Sequence, residues 1–248
     1  MTLTALITGA NKGIGYETAR LLGERGMTVL VGARDETLGR KAELALREGG
    51  VDARFLRIDV TDDASVRRAA DQVGAEYGRL DVLVNNAGIV GDVEGARSGP
   101  SGATRAALRQ VFEANVFGVV AVTNAFLPLL RNAGAARIVN VSSEVGSLTL
   151  VSDPEHPLYG LATIPYPASK TALNMVTVMY AKELRDTPIK VNAANPSHCA
   201  TDLTGNTGSR TPEQGALVSV ALATLPPDGP TGGFWGDGAP AAEAALPW

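Results

Sequence analysis

Thr8-Gly9-Ala10-Asn11-Lys12-Gly13-Ile14-Gly15 separates an apolar run from a segment of helical period, and its reading decides the fold. Upstream, residues 3–8 read as a strand; downstream, 14–25 repeat their apolar side chains at helical spacing. Glycines at such a junction let the chain turn tightly and bring bare backbone close to whatever lies over the turn. The free amides and positive dipole end of the following helix make the turn a cradle for phosphate groups. The spacing is G-x-x-x-G-x-G rather than the commoner G-x-G-x-x-G. Three glycines carry little weight alone in a chain with 28 of them. Their place between strand and helix gives them force.

The alternation continues along the chain. Residues 28–33, 54–58, 82–85, 137–142 and 189–193 read as strands, several without polar alternation, as in strands covered on both faces. Residues 36–48, 62–77, 103–131, 167–185 and 212–225 read as helices. Thr211-Pro212-Glu213-Gln214 opens the last with a capping Thr, Pro at the first helical position and Gln to close a capping box. A final short strand is expected at Phe234–Trp235. No long Pro/Ser linker, charge run or repeat divides the chain. The expectation is one α/β domain, 1–248: a Rossmann-like doubly wound parallel sheet of six or seven strands with helices on both faces.

Composition narrows the function. A net charge of −4 with scattered basic residues gives no case for a nucleic-acid partner. One cysteine, Cys199, excludes an internal disulfide framework and suits a reducing cytoplasm; two histidines leave no metal site expected. The longest apolar stretch, 116–130, is broken by Asn124 and Pro128 and reads as a buried helix, not a membrane span. Asn140-Val141-Ser142 satisfies a glycosylation sequon but sits inside a β-like run, where acceptors do not occur.

The glycine turn suits a dinucleotide, and the end of the second strand selects which one. An acid there would hold the ribose hydroxyls of NAD, whereas an Arg accommodates the extra phosphate of NADP. Here the strand ends in Ala33, and Arg34 follows; Lys12 in the turn offers a second positive charge. Asp35 reads as the cap of the next helix. The cofactor expected is NADP(H).

Tyr166-Pro167-Ala168-Ser169-Lys170 sets a phenol and an ammonium one helical turn apart on one face. A free phenol with a pKa near 10 is a poor base at neutral pH, and a neighbouring cation is expected to pull it toward the working range. The pair follows the fifth strand, whose end carries Ser142-Ser143, hydroxyls able to hold a carbonyl oxygen.

Together these residues resemble the short-chain dehydrogenase/reductase family. The turn beginning at Thr8-Gly9, Asn85-Asn86-Ala87-Gly88 after the fourth strand, the serine ending the fifth, and Tyr166 with Lys170 stand in family order over about residues 3–236. The stretch Gly9 to Gly15 and the pair Ala33-Arg34 are similar to the NADPH-preferring carbonyl reductases. The resemblance implies reversible reduction of a ketone or aldehyde by hydride transfer. It implies Tyr166 as general acid, Ser143 orienting the carbonyl, and Lys170 on the nicotinamide ribose. Asn115 would hold a relay water. Ser142 is the alternative to Ser143, and Asn115 could instead satisfy backbone at a kink. On the cofactor side it implies Gly9, Asn11, Lys12, Gly13, Ile14, Gly15, Arg34, Asp59, Val60, Asn86, Ala87, Gly88, Pro196 and Thr201. Asp59 has the alternative of an ordinary strand-end residue.

Ser197 stands where the family has Gly between Pro196 and Thr201, and its side chain is expected to shift this backbone. His198 has no acid spaced to partner it, and nothing basic beside Cys199 would make a thiolate. The interval from Ser143 to Tyr166 is longer than in many relatives, between tetrameric and monomeric patterns, and leaves monomer or homo-oligomer open. Its Leu148, Leu150, Leu158, Leu161 and Ile164 read equally as a pocket lining or as core. The substrate expected is a small carbonyl or alcohol, with no membrane partner. A non-catalytic NADP-binding regulator on the same fold is the alternative, and an α/β-hydrolase lacks its G-x-S-x-G elbow here.

Overall fold

The computed structural model describes residues 2–91, 99–236 and 244–248. Its strands are β1 (Thr4–Thr8), β2 (Thr28–Ala33), β3 (Ala53–Arg57), β4 (Val82–Asn85), β5 (Arg137–Val141), β6 (Lys190–Ala194) and β7 (Phe234–Trp235). All seven pair in parallel, in the order β3-β2-β1-β4-β5-β6-β7. The helices are α1 (Gly13–Gly23), α2 (Glu36–Glu48), α3 (Asp63–Tyr77), α4 (Arg105–Phe112), α5 (Gly118–Arg131), α6 (Leu148–Ser152), α7 (Pro165–Glu183) and α8 (Pro212–Ala223).

The strands are continuously apolar because each face of the sheet has its own cover. In β1, Ile7 joins Leu22 of α1, Leu46 of α2 and Val220 of α8 on one side. Its neighbour Leu6 joins Val73 of α3 and Phe126 and Leu130 of α5 on the other. Each such large side chain, buried whole, contributes roughly 1.5–3 kcal/mol. The helix ends follow local chemistry: Asp35 accepts from the Leu38 amide to cap α2, Asp62 from the Ala64 amide to cap α3, and Thr211 with Gln214 forms the capping box of α8.

Two departures from the sequence pattern matter. Strands β3 and β6 sit one residue from their expected places, β3 earlier and β6 later. The expected single helix 103–131 is instead α4 and α5 joined by a π-helical turn at Glu113–Phe117, which contains Asn115. The whole run Arg105–Arg131 is long and apolar enough to cross a membrane. Val122, Phe126 and Leu130 nevertheless fill the core beneath the sheet. The strand order reverses between β1 and β4, so a crevice opens at their carboxyl ends, where the glycine turn and Asn86-Ala87-Gly88 lie.

Candidate active site

The glycine turn is shaped by its own backbone and by Asn86. Gly9 holds a left-handed φ of +66°, and a Cβ on Gly15 would run into the Asn86 amide and the Gly9 carbonyl. Asn86 Nδ2 donates to the carbonyls of Thr8 (2.8 Å) and Gly9 (3.3 Å), while Thr8 Oγ1 accepts from the amides of Asn86 and Ala87, both at 3.0 Å. The loop after β4 is thus pinned to the loop after β1. Lys12 begins α1 with no side-chain cap, so the first amides of the helix are left for an anion. Asn11 and Gly13 are half-buried beside it, and Ile14 packs onto the core.

Around this cradle the other cofactor-side residues are arranged unequally. Arg34 is exposed just past β2 and, among the described residues, has no hydrogen bond or ion pair. Asp35 is committed as a cap, at 2.9 Å from the Leu38 amide. Asp59 ties its own loop, accepting from the Thr61 amide (3.0 Å) and hydroxyl (2.7 Å), and Val60 lies against Gly118. These groups fit a dinucleotide: an uncapped helix end after β1 and, after the neighbouring strand β2, a guanidinium with no partner among the described residues.

The second half of the site gathers at the end of β5. Ser143 lies close enough to the Tyr166 phenol for its hydroxyl to oppose the rise in the phenol's pKa, whereas Ser142 Oγ is buried and donates to Asn174 Oδ1 at 2.5 Å. Of the two hydroxyls, Ser143 faces the phenol. Pro165 is the first residue of α7, two residues earlier than expected, which sets Tyr166 in the first turn and Lys170 one turn on. Lys170 Nζ stands 5.5 Å from the Tyr166 ring centre and donates to the Val141 carbonyl at 2.8 Å. Asn115 grips the loop after β4 from the π-helical turn. Its Oδ1 accepts from the Ile89 amide and its Nδ2 donates to the Ile89 carbonyl, both at 2.9 Å. The same Nδ2 reaches Ser169 Oγ at 3.0 Å. A Cβ on Gly88 would stand 3.1 Å from Asn115 Oδ1 and 3.8 Å from Lys170 Nζ, so the three adjoin. A π-turn lets a helix aim one extra side chain and backbone step off its regular face.

Burial reverses the expected direction for the phenol. It pushes Tyr166 up to about 12, against a smaller opposing pull from the neighbouring Ser143 hydroxyl, and pushes Lys170 down to about 8. A Lys170 at about 8 still carries its charge at neutral pH, so it is the burial of the phenol, not the loss of its neighbouring cation, that sets the direction. Tyr166 therefore keeps its proton at neutral pH in the protein alone, the form a general acid needs.

Behind these groups lies a buried polar ladder that motif reading missed. Asn85 Nδ2 donates to Thr123 Oγ1 (3.1 Å) and Asn140 Oδ1 (2.9 Å), and Asn140 Nδ2 donates to Thr177 Oγ1 (2.9 Å). It crosses from α5 through β4 and β5 to α7. Its signal in sequence was Asn and Thr inside otherwise apolar runs, and Asn140 had registered only as part of a sequon.

After β6, Pro196 is buried and Ser197 takes a left-handed backbone, φ +59°, a region that favours glycine. A serine is strained there, and its amide is held by Asn195 Oδ1 at 3.1 Å. His198 is exposed, with Nε2 3.4 Å from Thr207 Oγ1. Cys199 is buried, which pushes its thiol up. Thr201 caps the short turn Asp202–Thr204. In the segment before α7, Leu148 and Leu161 are exposed and Leu150, Leu158 and Ile164 half-buried, so none is core. Leu148 lines a cavity of about 530 Å³ with Met175 and Trp248 on a different face of α7 from Tyr166. A second cavity, of about 440 Å³ around Arg137, lies at the amino ends of the strands, away from the crevice.

The short chain dehydrogenase family model matches residues 3–212. The chain is 33% identical to carbonyl reductase [NADPH] 1 of Rattus norvegicus over 98% of both chains. It is 32% identical to (+)-neomenthol dehydrogenase of Capsicum annuum, over 94% of this chain and 95% of that one. Its backbone follows that of an NADPH-bound carbonyl reductase from chicken fatty liver with a TM-score of 0.82 at 26% identity, over the full length of both. With a family match across most of its length, a seven-stranded doubly wound sheet and the site set at that sheet's crevice, the chain belongs to the short-chain dehydrogenase/reductase family of oxidoreductases.

Proposed function

We propose that this protein reduces a ketone or aldehyde to an alcohol with NADPH. The observation that carries the reading is the joined set of Ser143, Tyr166 and Lys170 beside the crevice. The carbonyl reductase and terpenoid dehydrogenase relatives support the same class. For the cofactor, the support is Arg34, exposed and unpaired where an acid would otherwise read the ribose. The bound dinucleotide supplies the hydride. Gly9, Asn11, Gly13, Ile14 and Gly15 would cradle its pyrophosphate, and Lys12 and Arg34 its 2′-phosphate. Asp59, Val60, Asn86, Ala87 and Gly88 would line the adenosine side, with Pro196 and Thr201 at the nicotinamide end.

In the proposed mechanism the Ser143 hydroxyl donates to the substrate oxygen and holds it against Tyr166. The Tyr166 phenol then gives its proton to that oxygen as negative charge develops there. Lys170, adjoining Asn115 and Gly88, would stabilise the phenolate left behind and would hold the ribose hydroxyls of the dinucleotide. Asn115 holds the loop after β4 and adjoins Lys170 across Gly88, where a relay water would return the proton.

Titration should show NADPH binding at least about tenfold tighter than NADH, and Arg34→Asp should erase most of that ratio by weakening NADPH alone. Equal affinities in the unaltered protein would refute the cofactor assignment. A panel of ketones, aldehydes and quinones assayed by NADPH consumption tests the reaction class; no turnover on any of them would favour a binding protein instead.

A further inference from the structure

Lys12 and Asp202 lie 190 residues apart in sequence, yet Lys12 Nζ donates to Asp202 Oδ2 at 2.6 Å. The contact crosses the glycine turn. Thr201, next to Asp202, places its Cγ2 3.5 Å from where a Cβ on Gly13 would stand. The turn Asp202–Thr204 therefore rests on the uncapped start of α1, the proposed phosphate cradle. Among the described residues Arg34, exposed after β2, has no hydrogen bond or ion pair, while Lys12 is engaged by a carboxylate. Both members of that pair are well exposed, 63% and 65%, so water and salt screen it and a stronger anion can compete for it.

A phosphate dianion is such an anion. We infer that Asp202 is a cofactor-selectivity residue: it holds Lys12 across the glycine turn, and the 2′-phosphate of NADP(H) must take Lys12 from it, whereas NAD(H) leaves the pair intact. The inference rests on the NADP(H) reading above and adds a residue to it. Asp202 lowers the affinity for the phosphorylated cofactor twice over, by occupying the ammonium and by repelling the phosphate. It also couples phosphate capture to the segment after β6, since releasing Lys12 removes a tie between that segment and the glycine turn.

Adenosine 2′,5′-bisphosphate and 5′-AMP are the probes, because they carry the difference in phosphate without the nicotinamide end. Calorimetric titration at low salt should show Asp202→Asn tightening the bisphosphate about three- to fivefold and leaving 5′-AMP within about 1.5-fold. In a Lys12→Met background the gain should fall by at least half, since the competition is for that amine. Unchanged or weaker bisphosphate binding in Asp202→Asn would overturn the inference, as would equal tightening of both probes. If the unaltered protein shows no preference for the bisphosphate over 5′-AMP, the NADP(H) reading itself fails. If it shows the preference but Asp202→Asn is silent, only the role of Asp202 does.

Discussion

The two halves of the crevice use their polar groups in opposite ways. On the proposed cofactor side, the first amides of α1 are uncapped and, among the described residues, Arg34 is unpaired and Lys12 is held by an exposed ion pair. On the catalytic side, Asn85, Asn140, Thr123, Thr177, Ser142 and Asn174 are buried and bonded to one another or to backbone. The first half keeps its charges available because its task is to gain a ligand. The second uses its polar atoms on itself, which under the proposed function fixes Tyr166, Lys170 and Ser143 within a narrow geometry.

That contrast can be broken by stability measurements on the cofactor-free protein. Asn140→Ala should be the most damaging, since it leaves the Thr177 hydroxyl without its donor, deprives Asn85 of an acceptor, and opens a small void between β5 and α7. A loss of about 2–3 kcal/mol is expected in urea unfolding. Arg34→Ala, in the same assay, should be indistinguishable from the unaltered protein. Comparable losses at both positions would mean that the halves do not differ as described.

A smaller effect of opposite sign is expected at Ser197. Its left-handed backbone costs a non-glycine residue, so Ser197→Gly should raise stability by about 1 kcal/mol. A decrease would show that the hydroxyl makes up for the strain, and would place Ser197 with the self-bonded half.

Legibility in the sequence followed the same division. Strands β1, β2 and β4 were readable because apolar runs ended at recognisable turns, and the glycine turn, Arg34 and the cap at Asp35 are local signals in which chemistry and position coincide. Tyr166 and Lys170 were readable by spacing. What escaped depends on contacts between distant segments. The π-helical turn at Asn115 follows from its grip on Ile89, 26 residues away, and no pattern within 103–131 announces it. The Asn85–Asn140–Thr177 ladder joins three elements and has no motif. The charge states of Tyr166 and Lys170 also escaped, because the neighbouring cation was visible in sequence but the depth of burial was not.

The most direct test of the central claim, that Tyr166 donates the proton to a carbonyl held by Ser143, is Tyr166→Phe measured two ways on one preparation. NADPH binding, followed by fluorescence titration, should stay within about twofold, while turnover of the best carbonyl substrate falls at least about a thousandfold. Turnover within tenfold of the unaltered enzyme, with NADPH bound normally, would contradict the account.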